Sequence, residues 1–223
     1  AGQIAGLIGP NGAGKSTVFN CISRYYEPTS GDIRFNGQSL INRKPHEIIQ
    51  LGISRTFQNL ELFPLMTVKE NLLIGQHEDY QAGVGAEMFN LSTYQQEESK
   101  AEEKAQGVLD FLGLGQIAAS SIRQQPFGIR KLIEIGRALM SDPDLLLLDE
   151  QAAGMNTRET DRLAELISDI SAKQDTSVLL VEHDMSFVMD LCDRITVING
   201  SKIAVGTPQE IQNNPEVIEA YLG

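Results

Sequence analysis

The sequence predicts an α/β fold in which a mostly parallel sheet is interrupted by an α-helical subdomain. Short apolar runs typical of buried strands alternate with helical patterns in both end regions of the chain, which favours a parallel sheet with helices on both faces. From Thr67 to about Leu139 the pattern is helical throughout. We therefore expect an α/β core over residues 1–62 and 141–223, with the helical subdomain over residues 63–140.

The elements can be assigned in order along the chain. Two Asn-Gly pairs, at Asn36 and Asn199, supply the positive φ angles of tight turns, and the first lies in a predicted hairpin over residues 32–40. The mostly charged or polar block 95–106 is expected to be a solvent-facing side of a helix. Strands are predicted at residues 3–8, 53–58, 144–148, 177–181 and 195–198, and helices at 15–25, 46–52, 157–172, 184–191 and 208–222.

The composition argues against two classes of partner. The 223-residue chain carries 18 Lys and Arg against 30 Asp and Glu, and its net charge of −12 repels nucleic acid and anionic lipid. Its apolar runs are too short to cross a bilayer, which takes about 20 residues. Cys21 and Cys192 lie outside any metal-binding spacing, which favours a reducing cytosol over a disulfide framework. We expect no nucleic-acid partner, and attachment to a membrane only through other proteins.

A phosphate-binding loop is the most specific motif in the chain. The stretch GPNGAGKST fits the pattern G-x-x-x-x-G-K-[ST] between a predicted strand and a predicted helix, the context that the motif requires. Its glycines let backbone N–H groups converge on an anion, and the following helix directs its positive N-terminus at the same point. Lys15 can reach the β- and γ-phosphates, and the Ser16 hydroxyl can ligate Mg²⁺. The core is therefore predicted to be a P-loop NTPase, with nucleotide contacts from Gly9, Pro10, Asn11, Gly12, Ala13, Gly14, Lys15, Ser16 and Thr17.

The partner element is an apolar strand that ends in two carboxylates. The run LLLLDE brings Asp149 and Glu150 to the carboxyl end of the predicted sheet, where ligands bind in open α/β folds. Asp149 can hold Mg²⁺ through water, and Glu150 can act as general base on an attacking water. Capping of the next helix is the alternative for this acidic pair. His183 follows another apolar strand, and it would lie near the γ-phosphate if that strand neighbours the other two.

Over essentially its whole length the chain resembles an ATP-binding-cassette (ABC) ATPase. The phosphate loop, the stretch RTFQ, the run LLLLDE and the histidine after a strand occur in the family's order. The resemblance implies ATP and Mg²⁺ as cofactors, with Glu150, His183 and Gln58 as catalytic residues. It implies that Ser16, Gln58 and Asp149 ligate the magnesium, and that Gln58 also signals the γ-phosphate to a membrane subunit. The family's first strands and its adenine-stacking aromatic are expected upstream of this sequence.

One stretch departs from the family's signature sequence Leu-Ser-Gly-Gly-Gln. The matching residues are QPFGI, so that Pro126 replaces the serine whose hydroxyl contacts phosphate, whereas Gly128 remains. A helix is predicted to start near Ile129, and its N-terminus can bind an anion. The resemblance therefore implies that Pro126, Phe127 and Gly128 complete the nucleotide site of a facing subunit through backbone N–H groups and the helix dipole.

The turn after the acidic pair Asp149-Glu150 also departs from the family's usual sequence. Gln151 replaces the family's usual proline, and Asn156 occupies the usual aspartate position in the loop AAGMN, which is expected to contact the second subunit. Several stretches, QPFG, AAGMN, VEHDM, EAYLG and the insert after Gln58, resemble the importers for branched-chain amino acids. The subfamily is thus identified by short stretches spread over the chain.

The resemblance implies the ATP-hydrolysing subunit of an ABC importer that couples hydrolysis to uptake of branched-chain amino acids. Its partners would be a second ATPase subunit, as a homodimer or heterodimer, transmembrane permease subunits and, indirectly, an extracytoplasmic solute-binding protein. The protein would work at the cytoplasmic face of the plasma membrane. The apolar stretch LELFPLM is expected to receive a coupling helix of the permease, with a buried loop as the alternative. The alternative functions are a urea or amide importer, a soluble non-transport ABC ATPase and a nucleotide-binding regulator without hydrolysis.

Overall fold

The computed structural model describes residues 2–56, 61–76 and 91–222. Within these ranges, strands and helices alternate on either side of a purely helical stretch. The strands are β1 (Ile4–Ile8), β2 (Arg34–Phe35), β3 (Gln38–Ser39), β4 (Ile53–Arg55), β5 (Leu145–Asp149), β6 (Ser177–Val181), β7 (Arg194–Asn199) and β8 (Ser201–Gly206). The helices are α1 (Lys15–Ile22), α2 (Pro45–Gln50), α3 (Val68–Ile74), α4 (Leu91–Phe111), α5 (Phe127–Leu139), α6 (Thr157–Gln174), α7 (Met185–Leu191), α8 (Pro208–Gln212) and α9 (Pro215–Leu222).

A six-stranded sheet with the order β4-β5-β6-β1-β7-β8 forms the α/β part of the chain. The strand β1 runs parallel to β6 and β7, and β5 runs parallel to β4 and β6, whereas β8 is antiparallel to β7. The predicted mostly parallel α/β fold is confirmed. Because parallel strands end at the same edge of a sheet, the carboxyl ends of β1, β5 and β6 meet there. The strand β6 lies directly between β1 and β5, as the hypothesis for His183 requires.

The centre of the sheet is buried on both faces. Leu146, Leu147 and Leu148 of β5 are all buried, although successive side chains of a strand point to opposite faces. Phe19 of α1 belongs to the same apolar cluster as Leu147, so the helix that follows the phosphate loop is anchored on the sheet. Full burial of each such side chain stabilises the fold by about 1.5–3 kcal/mol. The loop therefore connects two elements that the core holds in place.

The chain divides into two compact units. The first comprises residues 1–58 and 143–223, and the second comprises residues 59–142. The second unit contains α3, α4 and α5. Residues 95–100 of α4 are exposed, in line with the prediction of a solvent-facing block, but Ala101 and Ala105 are buried. The helix α4 therefore buries small apolar residues on one side, although its sequence is largely polar.

Residues in the left-handed conformation form the turn after β2 and end the helix α1. Asn36 and Gly37 have φ angles of 47° and 77°, and they join β2 and β3 in the predicted antiparallel hairpin. Arg24 has a φ of 61°, which a helix cannot continue through. The helix α1 therefore ends at Ile22, three residues before the predicted end.

The C-terminal segment differs from the prediction. The helix predicted over residues 208–222 is divided into α8 and α9, because Pro215 has no N–H to donate and its ring disfavours helical geometry at Asn214. The strand β8 is missing from the predicted strands. Its own sequence shows no clear alternation of buried and exposed residues. It is a strand because it pairs with β7 across the Asn199-Gly200 turn.

Two further expectations concern the membrane and the cysteines. Across residues 2–56, 61–76 and 91–222, no helix combines the length and the apolar character needed to span a bilayer. Cys21 and Cys192 are both free thiols. Burial raises the pKa of the Cys192 thiol to about 12, so this side chain is un-ionised at neutral pH.

Candidate functional site

The phosphate loop connects β1 to α1 with a backbone that favours glycine. Gly12 and Gly14 have φ angles of 83° and 101°, and a Cβ atom on either would meet open space. A Cβ atom on Gly9 would lie only 2.1 Å from the carbonyl oxygen of Ile198 in β7, so no larger residue fits there. The loop is closed by a hydrogen bond of 3.1 Å from the Ala13 N–H to the Pro10 carbonyl. This compact turn with free space beside its glycines fits an anion-binding backbone.

Lys15 begins α1 and extends back over the loop. Its Nζ donates to the carbonyl oxygens of Gly9 at 2.7 Å and Pro10 at 3.2 Å, and the residue is only 7% exposed. Burial lowers the pKa of Lys15, and the carboxylates of Glu150 and Asp149 act in the opposite direction. The two predicted acidic residues therefore favour the charged form of the lysine at the loop where phosphate is predicted to bind.

Asp149 ends β5 and is paired with an arginine from the neighbouring strand. The Nη2 atom of Arg55 donates to Asp149 Oδ2 at 2.8 Å, and its Nη1 donates to Asn20 Oδ1 at 2.7 Å. The Arg55 guanidinium lies 5.4 Å from the centre of the Phe19 ring. Arg55 belongs to the RTFQ stretch, but sequence reasoning missed it because a strand pattern does not reveal which strand lies beside it. This arginine holds the carboxylate of Asp149 in a defined orientation.

The donor atoms available at this edge fit Mg²⁺. Ser16 provides a hydroxyl in the first turn of α1 and Asp149 provides a carboxylate at the end of β5, and both are the oxygen ligands that Mg²⁺ prefers. Among the described residues, no group of three or more His, Cys, Asp or Glu side chains could hold a metal ion unaided. Mg²⁺ commonly takes one or two carboxylates and completes its shell with substrate phosphates and water. The third predicted ligand, Gln58, lies outside the described residues.

Glu150 and His183 are in direct contact across adjacent strands. The distance between His183 Nε2 and Glu150 Oε1 is 2.8 Å. The backbone of Glu150 has a φ of 52°, a left-handed conformation that is strained for a residue with a side chain, and its N–H donates to the Val181 carbonyl at 2.9 Å. Such strain concentrates at functional sites. The sheet order thus brings together two residues that the sequence predicts separately.

The turn that follows Glu150 is held from two sides. Gln151 is 1% exposed, and its Nε2 donates to Thr56 Oγ1 at 2.8 Å. On the other side Glu182 Oε1 accepts the Ala152 N–H at 2.8 Å, and burial raises the pKa of the Glu182 carboxyl. Sequence reasoning noted Gln151 only as a departure and missed Thr56 and Glu182. Glu182 directly follows the apolar residues of β6, which was an available signal, whereas Thr56 follows the mixed strand β4 and carries no such signal.

The predicted signature loop begins α5. Pro126 is the N-cap residue, with a φ of −56° and a ψ of 158°, and it offers no side-chain hydrogen bond to the helix. The predicted start of this helix near Ile129 is wrong, because α5 begins at Phe127 and Gly128 lies in its first turn. Phe127 and Gly128 are weak helix formers, but the Phe127 ring lies 5.8 Å from the Lys131 ammonium one turn later, which supports the early start.

Replacement of Pro126 by serine should not lower the ATP hydrolysis that the resemblance to ABC ATPases implies. Serine is a favoured N-cap residue, and its hydroxyl can accept an N–H from the first turn of α5, so the helix should be as stable or slightly more stable. Thermal unfolding and phosphate release by the purified protein measure both effects. Thr67→Ala is the control, since Thr67 caps α3 with its hydroxyl and loss of that bond should lower the melting temperature. A large loss of hydrolysis in Pro126→Ser would contradict the assignment of this loop.

Asn156 has a structural partner within its own chain. Its side-chain oxygen accepts the Glu159 N–H at 3.2 Å, and Glu159 Oε2 accepts the Asn156 N–H at 3.0 Å. This reciprocal capping box fixes the start of α6. The contact of Asn156 with a second subunit stays a prediction.

Known proteins resemble this chain over nearly its whole length. A family profile described as ABC transporter matches residues 1–153, and one described as branched-chain amino acid ATP-binding cassette transporter matches residues 201–223. The high-affinity branched-chain amino acid transport ATP-binding protein LivG of Escherichia coli K12 is 43% identical over 222 residues, 99% of this chain and 87% of LivG. The high-affinity branched-chain amino acid transport ATP-binding protein BraF of Pseudomonas aeruginosa is 44% identical over 222 residues, again 99% of this chain and 87% of the relative.

Solved structures agree with these sequence relatives. An ATP-binding cassette of an ABC transporter, crystallised in its ADP conformation, superposes with a TM-score of 0.84 at 32% identity, covering 100% of this chain and 88% of that chain. A nucleotide-free ATP-binding cassette from an ABC transporter gives the same TM-score at 33% identity. The resemblance inferred from the motifs is confirmed, and the chain belongs to the ABC transporter family, as an ATPase with that family's nucleotide-binding fold.

Proposed function

We propose that this chain is the ATP-binding and ATP-hydrolysing subunit of an ABC importer for branched-chain amino acids. The observation that carries the proposal is the 43% identity to LivG over 99% of the chain, since LivG is named for high-affinity transport of these amino acids. The profile match over residues 201–223 supports the same substrate group, because that profile is described for branched-chain amino acid cassettes.

The site residues are proposed to divide the chemistry between them. Backbone N–H groups of the loop Gly9–Thr17 bind the triphosphate, and Lys15 binds its β- and γ-phosphates. The Ser16 hydroxyl and the Asp149 carboxylate hold Mg²⁺, which when bound neutralises phosphate charge. Glu150 accepts a proton from the attacking water, and His183 orients the Glu150 carboxylate from 2.8 Å and contacts the γ-phosphate.

The proposed assembly contains a second ATPase subunit, permease subunits in the membrane and an extracytoplasmic solute-binding protein. Two features of this chain support it. The N-terminus of α5 behind Pro126 presents backbone N–H groups suited to a phosphate of the facing subunit. An exposed apolar pair, Phe63 and Leu65, is suited to a helix of the permease. In this assembly the chain lies at the cytoplasmic face of the plasma membrane.

The apolar pair is presented by an ordered backbone. Phe63 and Leu65 are 49% and 77% exposed, which disfavours the buried-loop alternative. Asn71 accepts the Phe63 N–H at 2.7 Å and donates to the Phe63 carbonyl at 3.1 Å, while Arg137 donates to the Glu61 carbonyl at 2.6 Å. The segment is therefore fixed by its main chain while its large side chains face solvent. A rigid exposed apolar pair of this kind is typical of a docking surface for a helix.

Leu65→Asp should weaken binding to the permease without changing ATP affinity. The new carboxylate would have to be desolvated in an apolar contact, at a cost of several kcal/mol, so co-purification with the permease should fall at least tenfold. Tyr26→Asp is the matched control, because Tyr26 is also an exposed large side chain but lies in the other unit. Equal loss of co-purification in both variants would contradict the docking surface.

Uptake of radiolabelled amino acids tests the proposed substrate. Deletion of the gene for this chain in its source organism should lower uptake of leucine, isoleucine and valine and leave urea uptake unchanged. The wild-type gene should restore uptake, and Glu150→Gln should not. Loss of urea or amide uptake instead would assign the chain to that importer group. Unchanged uptake of all these solutes would support a soluble non-transport ATPase.

A further inference from the structure

We propose that Gln151 is a positioning residue for ATP hydrolysis, because its side-chain amide ties the turn that carries Glu150 to Thr56 beyond the end of β4. The inference rests on the proposed role of Glu150 as general base. The family's usual residue at this position, proline, has no side-chain amide and cannot form this bond. The hydrogen bond between Gln151 and Thr56 is therefore a feature of this chain and not of the family's usual sequence.

Glu150 needs an external restraint. It adopts a φ of 52°, which costs free energy for any residue with a Cβ atom and persists only where the surroundings enforce it. Its carboxylate contacts His183 at 2.8 Å, and a general base depends on such geometry, because a displacement of about 1 Å can greatly reduce the rate. Groups that hold the backbone of Glu150 therefore act on the reaction without touching the substrate.

The contact of Gln151 with Thr56 has the properties of such a restraint. The distance from Gln151 Nε2 to Thr56 Oγ1 is 2.8 Å, and Nε2 also lies 3.2 Å from the carbonyl oxygen of Asp149. Both Gln151 and Thr56 are buried, so the bond is shielded from water and strengthened by the low dielectric. The Thr56 N–H donates to the Leu147 carbonyl at 3.0 Å, which fixes the anchor itself to β5.

The opposite side of the turn is held independently. Glu182, directly after β6, accepts the Ala152 N–H at 2.8 Å. The Glu150 N–H donates to the Val181 carbonyl. Loss of the Gln151 amide should therefore loosen the turn on the β4 side while these bonds preserve the fold. Because the fold should survive the loss of the Gln151 amide, the effect of this amide on the rate of hydrolysis can be measured by itself.

A double-mutant cycle on Gln151 and Thr56 tests the proposal in the purified protein. Gln151→Leu and Thr56→Val should each lower kcat for ATP hydrolysis about fivefold, the effect expected for one buried hydrogen bond, with KM unchanged. The double variant should lose much less than the product of the two single losses, since each replacement removes the bond between Gln151 Nε2 and Thr56 Oγ1. Thr56→Ser keeps the hydroxyl and should retain the wild-type kcat.

Thr176→Val is the matched control for Thr56→Val. Thr176 is also a buried threonine whose hydroxyl donates a hydrogen bond, at 2.9 Å to the Pro143 carbonyl, but it lies outside the turn. This variant should keep kcat even if its melting temperature falls. Additive losses of kcat in the cycle, a loss in Thr56→Ser as large as in Thr56→Val, or a change confined to KM would overturn the proposal.

Hydrogen–deuterium exchange distinguishes failure of this inference from failure of the general-base role. In Gln151→Leu the backbone of residues 150–154 should exchange faster than in the wild type, whereas residues 177–181 of β6 should be unaffected. This result does not depend on catalysis. Unchanged exchange in residues 150–154 would overturn the restraint. Full hydrolysis by Glu150→Gln would instead overturn the general-base role and leave the exchange result standing.

Discussion

Replacement of Glu150 by glutamine should lower steady-state ATP hydrolysis by about a hundredfold to ten-thousandfold while ATP binding is retained. Glutamine has the size of glutamate and can keep a hydrogen bond to His183, but its amide cannot accept a proton from water. The triphosphate contacts assigned to the loop Gly9–Thr17 do not involve this side chain. Phosphate release measures the rate, and titration calorimetry measures the affinity.

Glu165→Gln controls for the change in charge. Glu165 is an exposed residue of α6 in the same unit, and its replacement changes the net charge of the protein equally. Hydrolysis by this variant should match the wild type. If Glu150→Gln hydrolysed ATP at the wild-type rate, another group would have to be the general base. If the wild-type assembly with its permease released no phosphate, the chain would be a nucleotide-binding regulator.

Lys15→Ala should weaken ATP binding by about a hundredfold or more. The ammonium is the one side-chain cation that the phosphate loop itself supplies, and charge-assisted hydrogen bonds to two phosphates contribute about 3 kcal/mol or more in total. The same ammonium donates to the carbonyls of Gly9 and Pro10, so its loss also removes two hydrogen bonds within the loop. Titration calorimetry with ATP measures the change.

Lys173→Ala is the corresponding control. Lys173 is an exposed lysine of α6 that pairs with Asp169 at 2.9 Å, and its removal lowers the positive charge by the same amount. The affinity for ATP should stay within about twofold of the wild type, because exposed ion pairs contribute little. An unchanged affinity in Lys15→Ala itself would show that the triphosphate does not bind at this loop.

The phosphate loop could be predicted from sequence because its chemistry is local. A strand, a glycine-rich turn and a helix follow each other within residues 4–22, and the structure has them in that order. The pairing of Arg55 with Asp149 could not be predicted in the same way, because 94 residues separate the two. The contact between Gln151 and Thr56 spans 95 residues. Each depends on β4 lying beside β5, which no local pattern specifies.

The amino-acid sequence by itself determined the α/β class, the phosphate loop, the acidic strand end and the family, because each follows from hydrophobic period, turn chemistry or motif spacing within a short stretch. Only the tertiary structure decided that β6 lies between β1 and β5, and hence that His183 reaches Glu150. It also decided which side chains restrain the strained backbone of Glu150. Strand order is set by the packing of the whole core, so contacts between distant segments emerge only when the chain is folded.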